Sequence, residues 1–312
     1  MANHAAPFPK ESDSKGAFVR QDSVFRDRVT ADGSSGYPAV AGRYHLYVSL
    51  ACPWAHRAVI VRALKGLEDA IGVTVVDPIR DELGWRFRPD VPDPLHGWTY
   101  LSEGYAASNP AFDGRVTVPV LWDKETGRIV NNESAEIIEM LSGEFDAVAT
   151  NPDLDLYPAD QREAIDALNA QIYDTVNNGV YKSGFASTQE SYEAAVYPLF
   201  ETLDELEDRL GSRRYLFGAA QTLADWRLFT TLVRFDPVYH GHFKCNVRKL
   251  GEYPNLFGYL RDLYQTPGVA DTVDMDHIKR HYYVTHTSIN PSQVVPVGPD
   301  LDLTTPHGRE QL

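Results

Sequence analysis

The chain has 312 residues, 43% hydrophobic and 23% charged, the make-up of a soluble globular protein long enough for two ordinary domains with a sizeable core. Its 29 basic residues against 44 acidic ones give a formal charge of −15. That balance argues against nucleic acid or an anionic membrane surface as partner, since both need clustered Lys and Arg.

Residues 1–15 are polar and hold no apolar core of signal-peptide length. No run reaches the roughly 18 to 20 apolar residues that span a bilayer. Residues 1–42, with the loop Ala31–Gly36, read as a surface extension. Arg43 to Leu50 reads as a strand, with Tyr44, Leu46, Val48 and Leu50 alternating with His45, Tyr47 and Ser49. Ala51-Cys-Pro-Trp54 breaks it, and Ala55, Val59, Ala63 and Leu67 then recur at helical spacing. Val73–Val76 is a second short strand.

Residues 77–110, rich in Pro, Gly, Trp and Asp, read as a long irregular insertion, the kind of loop that serves as a lid or binding segment. Val116–Trp122 and Arg128–Val130, around the turn at Lys124–Gly127, form a hairpin. Asn132-Glu-Ser134 opens a helix running through Leu141. The order strand, helix, strand, loop, hairpin, helix predicts a small mixed sheet with helices packed on it over 43–150. After residue 151 the periodicity is helical throughout, over 160–182, 189–211, 222–235 and 254–266, with a capping-box pattern at Thr222-Leu-Ala-Asp225. The second half, 151–285, is therefore all-α, and 286–312 is an extended, proline-bearing tail.

Cys52 carries the most chemistry. Pro53 suits the first position of a helix, which puts Cys52 at or beside the N-cap, next to unpaired N–H groups and the positive end of the helix dipole. Both favour the thiolate, the nucleophilic form. His56 and Arg57, in the first turn, add positive charge. The alternative is a buried, inert cysteine behaving as a small hydrophobe. In Cys52-Pro-Trp-Ala55 an alanine stands where a dithiol oxidoreductase has its second cysteine. A nucleophile without a resolving partner forms a mixed disulfide that an external small thiol must open. Cys245, in Phe-Lys-Cys-Asn, reads as buried and inert. With only these two cysteines there is no disulfide framework, and a reduced cytoplasmic setting is the expected compartment.

Val118-Pro119 adds a second signal, because a proline at a strand removes a ladder donor. A cis bond there turns the Val118 backbone outward to pair with an extended, peptide-like ligand. Glu133 and Ser134, at a helix start, supply N–H groups and a hydroxyl suited to a carboxylate. Each alone has an ordinary reading as edge-strand proline or helix cap. Together they suggest a site for a small peptidic thiol.

Ser49-Leu-Ala-Cys-Pro-Trp-Ala-His-Arg57, Arg115-Val-Thr-Val-Pro-Val-Leu-Trp-Asp123 and Ile129-Val-Asn-Asn-Glu-Ser134 resemble the xi-class glutathione transferases, the glutathionyl-hydroquinone reductases. So do Asn177–Ala186, Arg234–Tyr239, Gly241–Asn246, His281-Tyr-Tyr and Ile289-Asn-Pro291, and the resemblance runs from about residue 40 to the tail. It implies a thioredoxin-like N-terminal domain followed by an all-helical C-terminal domain, in a homodimer. It implies that Cys52 is catalytic and that Trp85, Arg115, Val118, Glu133 and Ser134 hold glutathione, with Pro53 and a cis Pro119 as structural supports. Tyr181, Tyr239 and Tyr282 match tyrosines facing the aromatic substrate, with Tyr283 the neighbour that competes with Tyr282 for that place. The implied activity removes glutathione from glutathionyl-hydroquinones, with glutathione as co-substrate and no metal. A general thioltransferase or dehydroascorbate reductase using the same cysteine, use of another small thiol, and a non-catalytic transferase-like module are the alternatives.

Overall fold

The computed structural model describes residues 11–312, and the first ten residues lie outside the described part. The chain divides into two compact units. The first comprises Gln21–Tyr157 and Pro267–His281, and the second comprises Pro158–Thr266, Tyr282–Leu312 and the described residues up to Arg20.

The first unit holds one four-stranded sheet: β1 (Tyr44–Val48), β2 (Gly72–Val75), β3 (Val120–Asp123) and β4 (Arg128–Asn131). The strand order is β2-β1-β3-β4, with β1 parallel to β2 and antiparallel to β3, and β3 antiparallel to β4. The parallel β1–β2 pair needs a crossover, which helix α1 (Pro53–Leu64) supplies. All five residues of β1 are buried, so the apolar alternation in its sequence does not mark one wet face. As a central strand it is covered on both sides, and the positions between its apolar residues are buried polar or aromatic groups with partners. His45 Nε2 lies 2.7 Å from Thr74 Oγ1, and the Tyr47 hydroxyl donates to Asp93 at 2.9 Å.

The hairpin begins later than its sequence suggests. β3 starts at Val120, because Pro119 has no N–H to offer the ladder. The stretch 77–110 is not irregular throughout. It contains helix α2 (Ser102–Ser108) and the isolated bridge Arg86–Tyr100. Seven residues make too short an apolar repeat to stand out from the Pro, Gly and Trp around them. Helix α3 (Ser134–Gly143) packs beside α1. Two devices fix this arrangement. Arg43 donates twice to Asp123, at 2.8 and 2.7 Å, in a pair with little or no solvent exposure. Fully buried Lys65, past the end of α1, donates to the carbonyls of Pro152 and Leu154 and pairs with Asp146 at 2.7 Å.

The N-terminal extension is more than a surface wrap. Arg26 bridges to Asn131, and Asp27 N–H donates to the Val130 carbonyl at 3.0 Å, which covers the otherwise open edge of β4.

The second unit is helical: α4 (Arg162–Ile172), α5 (Gly179–Phe185), α6 (Gln189–Leu210), α7 (Leu223–Arg234), the one-turn α8 (His240–His242) and α9 (Pro254–Tyr264). The capping box at Thr222 and Asp225 is present, with Asp225 Oδ2 accepting from Thr222 N–H at 2.7 Å. Wide π-turns at Tyr173–Asn177 and Phe235–Tyr239 follow α4 and α7. Helix α10 (Met275–Thr285), which the apolar periodicity does not announce, gives His281 to the first unit and Tyr282 to the second. No helix or strand follows Thr285.

Candidate active site

Cys52 is the N-cap residue of α1, in extended conformation with φ −79° and ψ 121°, and Pro53 occupies the first helical turn. Its carbonyl accepts from His56 N–H at 3.0 Å, and its side chain makes no capping bond, so the sulfur stays beside the helix start. The thiol donates to the Val118 carbonyl at 3.6 Å, so the backbone before the cis proline faces the sulfur. Val118 is 5% exposed and Cys52 is partly exposed.

The flanking residues come together around this start. Arg57 is buried, its guanidinium stacks 4.6 Å over the Trp54 ring, and it donates to the Ser134 hydroxyl at 3.3 Å, tying the starts of α1 and α3. His56 is buried as well, with Nε2 2.8 Å from Thr272 Oγ1, so its ring packs into the interior of the unit. His56 and Arg57, four and five residues past the cap, point in different directions, as a helix turn of about 100° per residue requires.

Glu133 is the N-cap of α3. One carboxylate oxygen accepts from Ala135 N–H at 3.1 Å, and the other accepts from the Ser23 hydroxyl at 3.0 Å. Ser134 opens the helix and is buried. The backbone of Arg115 is held on both sides by one side chain. Its N–H donates to Gln21 Oε1 at 2.8 Å, and its carbonyl accepts from Gln21 Nε2 at 3.3 Å. Trp85 is 5% exposed and stacks on His281 with ring centroids 5.1 Å apart and planes 22° apart. The His281 ring in turn donates from Nδ1 to the Pro78 carbonyl at 2.7 Å. Gln21, Ser23 and His281 were not picked out from the sequence as site residues. Their signal is a hydrogen bond across more than ninety residues, which no local pattern carries.

In the helical unit, the three tyrosines form one hydroxyl cluster. Tyr282 sits in the middle, 2.5 Å from the Tyr181 hydroxyl and 2.9 Å from that of Tyr239. All three are 9% exposed or less. Burial holds the Tyr239 and Tyr282 hydroxyls well above the usual tyrosine range, with nearby Arg234 opposing it, so both keep their protons at neutral pH. Tyr283 is elsewhere, donating to the Pro237 carbonyl at 3.1 Å. The π-turns place this cluster. Tyr239 closes one, Asn177 ends the other, and Asn177 Nδ2 bonds Thr231 Oγ1 at 2.8 Å and the Arg227 carbonyl at 3.1 Å. Gly184 is required by packing, since a Cβ there would lie 2.2 Å from the Phe243 ring that lines the same cluster. Cys245 is fully buried and burial pushes its thiol far up, so it stays protonated and unreactive.

Among the described residues, no group of three or more His, Cys, Asp and Glu side chains is placed to hold a metal ion. No helix of the described residues is long and apolar enough to cross a membrane.

Comparison with known proteins places this geometry. Residues 51–143 match the family described as the glutathione S-transferase N-terminal domain, and 189–262 match the glutathione S-transferase C-terminal domain. The chain is 52% identical to the glutathionyl-hydroquinone reductase YqjG of Escherichia coli, over 95% of this chain and 93% of that one. It is 53% identical to the glutathionyl-hydroquinone reductase PcpF of Sphingobium chlorophenolicum, over 92% and 91%. Among solved structures it is similar to the Xi-class transferase of Natrialba magadii (51% identity, TM-score 0.91, 96% of each chain). It is also similar to glutathione-bound YqjG (52% identity, TM-score 0.90, 92% of this chain and 96% of that one). The thioredoxin-like sheet unit with a helical unit after it is the architecture these relatives share, and the chain belongs to the glutathione transferase family, within its Xi class of glutathionyl-hydroquinone reductases.

Proposed function

We propose that the protein reduces glutathionyl-hydroquinones to hydroquinones with glutathione as the second substrate, through a mixed disulfide on Cys52. The observation that carries this reading is the placement of Cys52 at the N-cap of α1, partly exposed, while the only other cysteine is fully buried. A lone accessible thiolate can attack a sulfur and form a mixed disulfide, but it has no resolving thiol in its own chain.

The reaction then runs in two steps. The Cys52 thiolate attacks the glutathione sulfur of the conjugate. The Cys52–glutathione S–S bond forms, the sulfur–carbon bond breaks, and the ring carbon takes the electron pair and a proton. A second glutathione thiolate attacks the mixed disulfide, releasing oxidised glutathione and regenerating Cys52. Electrons balance, because two glutathione sulfurs are oxidised and the conjugate is reduced to hydroquinone. Residues 43–150 carry the glutathione-binding half, with Trp85, Arg115, the Val118 backbone, Glu133 and Ser134 as contacts. Residues 151–285 carry the half that faces the aromatic ring. There the buried, protonated hydroxyls of Tyr239 and Tyr282, with Tyr181, act as hydrogen-bond and proton donors to the departing hydroquinone, a general-acid role. We assign the protein to the reducing cytoplasm and to a homodimer, on the single accessible thiol for the first and the family resemblance for the second.

The test is turnover of glutathionyl-menadiol with glutathione, compared with turnover of a simple glutathione mixed disulfide. Faster release of hydroquinone supports the reading, and activity on the mixed disulfide alone would replace it with a general thioltransferase.

A further inference from the structure

The N-terminal segment around Ser23 is fastened to the rim of the thiol-binding half. Gln21 clasps both backbone groups of Arg115, and two residues beyond Ser23 the Phe25 N–H donates to Asn132 Oδ1 at 3.1 Å. The Phe25 carbonyl accepts from Asn132 N–H at 3.0 Å, so the segment runs beside the chain that leads into α3. Ser23 is thus fixed from both sides. Its hydroxyl has two acceptors within reach, Glu133 Oε2 at 3.0 Å and the Asn132 carbonyl at 3.3 Å, and the carboxylate is the nearer and the charged one.

A carboxylate has about four lone-pair positions. At Glu133 one is taken by Ala135 N–H on one oxygen and one by Ser23 on the other. These two bonds hold the group in one orientation and leave lone-pair positions that an incoming ammonium can use. A side chain held from two directions loses less conformational freedom on binding than one held from one.

From this juxtaposition we propose that Ser23 is a positioning residue for glutathione binding, acting through Glu133 on the amino group of the ligand. This rests on the functional reading above, and it gives part of the N-terminal extension a role in that site. Ser23 touches no reacting atom, so its loss weakens binding of glutathione and leaves the chemical step alone.

The test is a two-by-two cycle of Ser23→Ala and Glu133→Gln, with glutathione dissociation constants measured by calorimetry on the reduced full-length protein. Ser23→Ala should raise the constant about five-fold in the wild-type background, as expected when one more side chain has to be immobilised on binding. In the Glu133→Gln background the same change should have less than about a two-fold effect, because the group it orients is gone. Ser23→Thr, which keeps the hydroxyl, should bind as the wild type does, and kcat of Ser23→Ala at saturating glutathione should be unchanged. An equal loss in both backgrounds would mean a general structural role and overturn the proposal, as would no loss in the first. If the wild-type protein itself fails to bind millimolar glutathione, the functional reading falls instead.

Discussion

Tyr282 and Tyr283 are adjacent on one helix, yet their hydroxyls go to different places. That of Tyr282 lies between Tyr181 and Tyr239, while that of Tyr283 donates to the Pro237 carbonyl. The helix turn of about 100° per residue separates them, so only one of the pair can join the cluster. Tyr282 thus links the other two hydroxyls into one hydrogen-bonded chain.

Removing that central hydroxyl tests the tyrosine assignment. Tyr282→Phe should lower kcat for hydroquinone release by about a hundred-fold, the lower end of the range for loss of a proton donor. Tyr283→Phe should keep kcat within about two-fold and cost about 1 kcal/mol of stability, the worth of one hydrogen bond. Steady-state kinetics and urea unfolding of both variants check this.

Thiol labelling separates the two cysteines. Iodoacetamide on the native protein should modify one equivalent, at Cys52, because Cys245 is fully buried and kept protonated by its surroundings. Peptide mapping reads the site. Cys245→Ala should leave turnover unchanged.

The buried Arg43–Asp123 pair predicts a structural variant. Burial favours the neutral acid at Asp123, but the Arg43 hydrogen bonds, Thr126 and a backbone N–H outweigh it and hold the carboxyl below its ordinary value. Asp123→Ala leaves the Arg43 guanidinium without its main partner and should cost about 3 kcal/mol, measured as a fall in the urea midpoint.

Acid should weaken the fold through two histidines. Burial lowers His45 and His242 to about 4, from an ordinary value of about 6.5. As pH falls from about 6.5 to about 4, the unfolded chain takes up protons that the folded chain refuses. Stability therefore falls with pH across that window, by at most about 1.4 kcal/mol per pH unit per histidine, and is insensitive to them above it. Thermal melts between pH 7 and 4.5 should show the decline, and His242→Gln should make it shallower.

Much of this site is legible in local sequence. Cys52-Pro53 announces a helix start, Val118-Pro119 announces a strand interrupted by proline, and Thr222 with Asp225 announces a cap, because each feature is made by residues within a few positions of one another. His56 shows the limit. Its place in the first turn is readable, but its direction depends on Thr272, more than two hundred residues away. The same holds for the strand β1, whose alternating pattern gives no sign that both faces are covered, and for Gln21 and Ser23, whose partners lie far along the chain. Helix α10 escapes notice because its sequence, Met-Asp-His-Ile-Lys-Arg-His-Tyr-Tyr-Val-Thr, is mostly polar or aromatic and has little aliphatic stripe.

The central claim is a covalent intermediate on Cys52, and intact mass spectrometry reads it directly. The protein would be mixed with glutathionyl-menadiol in the absence of free glutathione, quenched in acid and weighed, with Cys52→Ala treated alongside. The account predicts that the wild type gains the mass of one glutathione, with release of one equivalent of menadiol, and that the variant gains none. Menadiol released with no adduct on the wild type, or an equal adduct on Cys52→Ala, would contradict it.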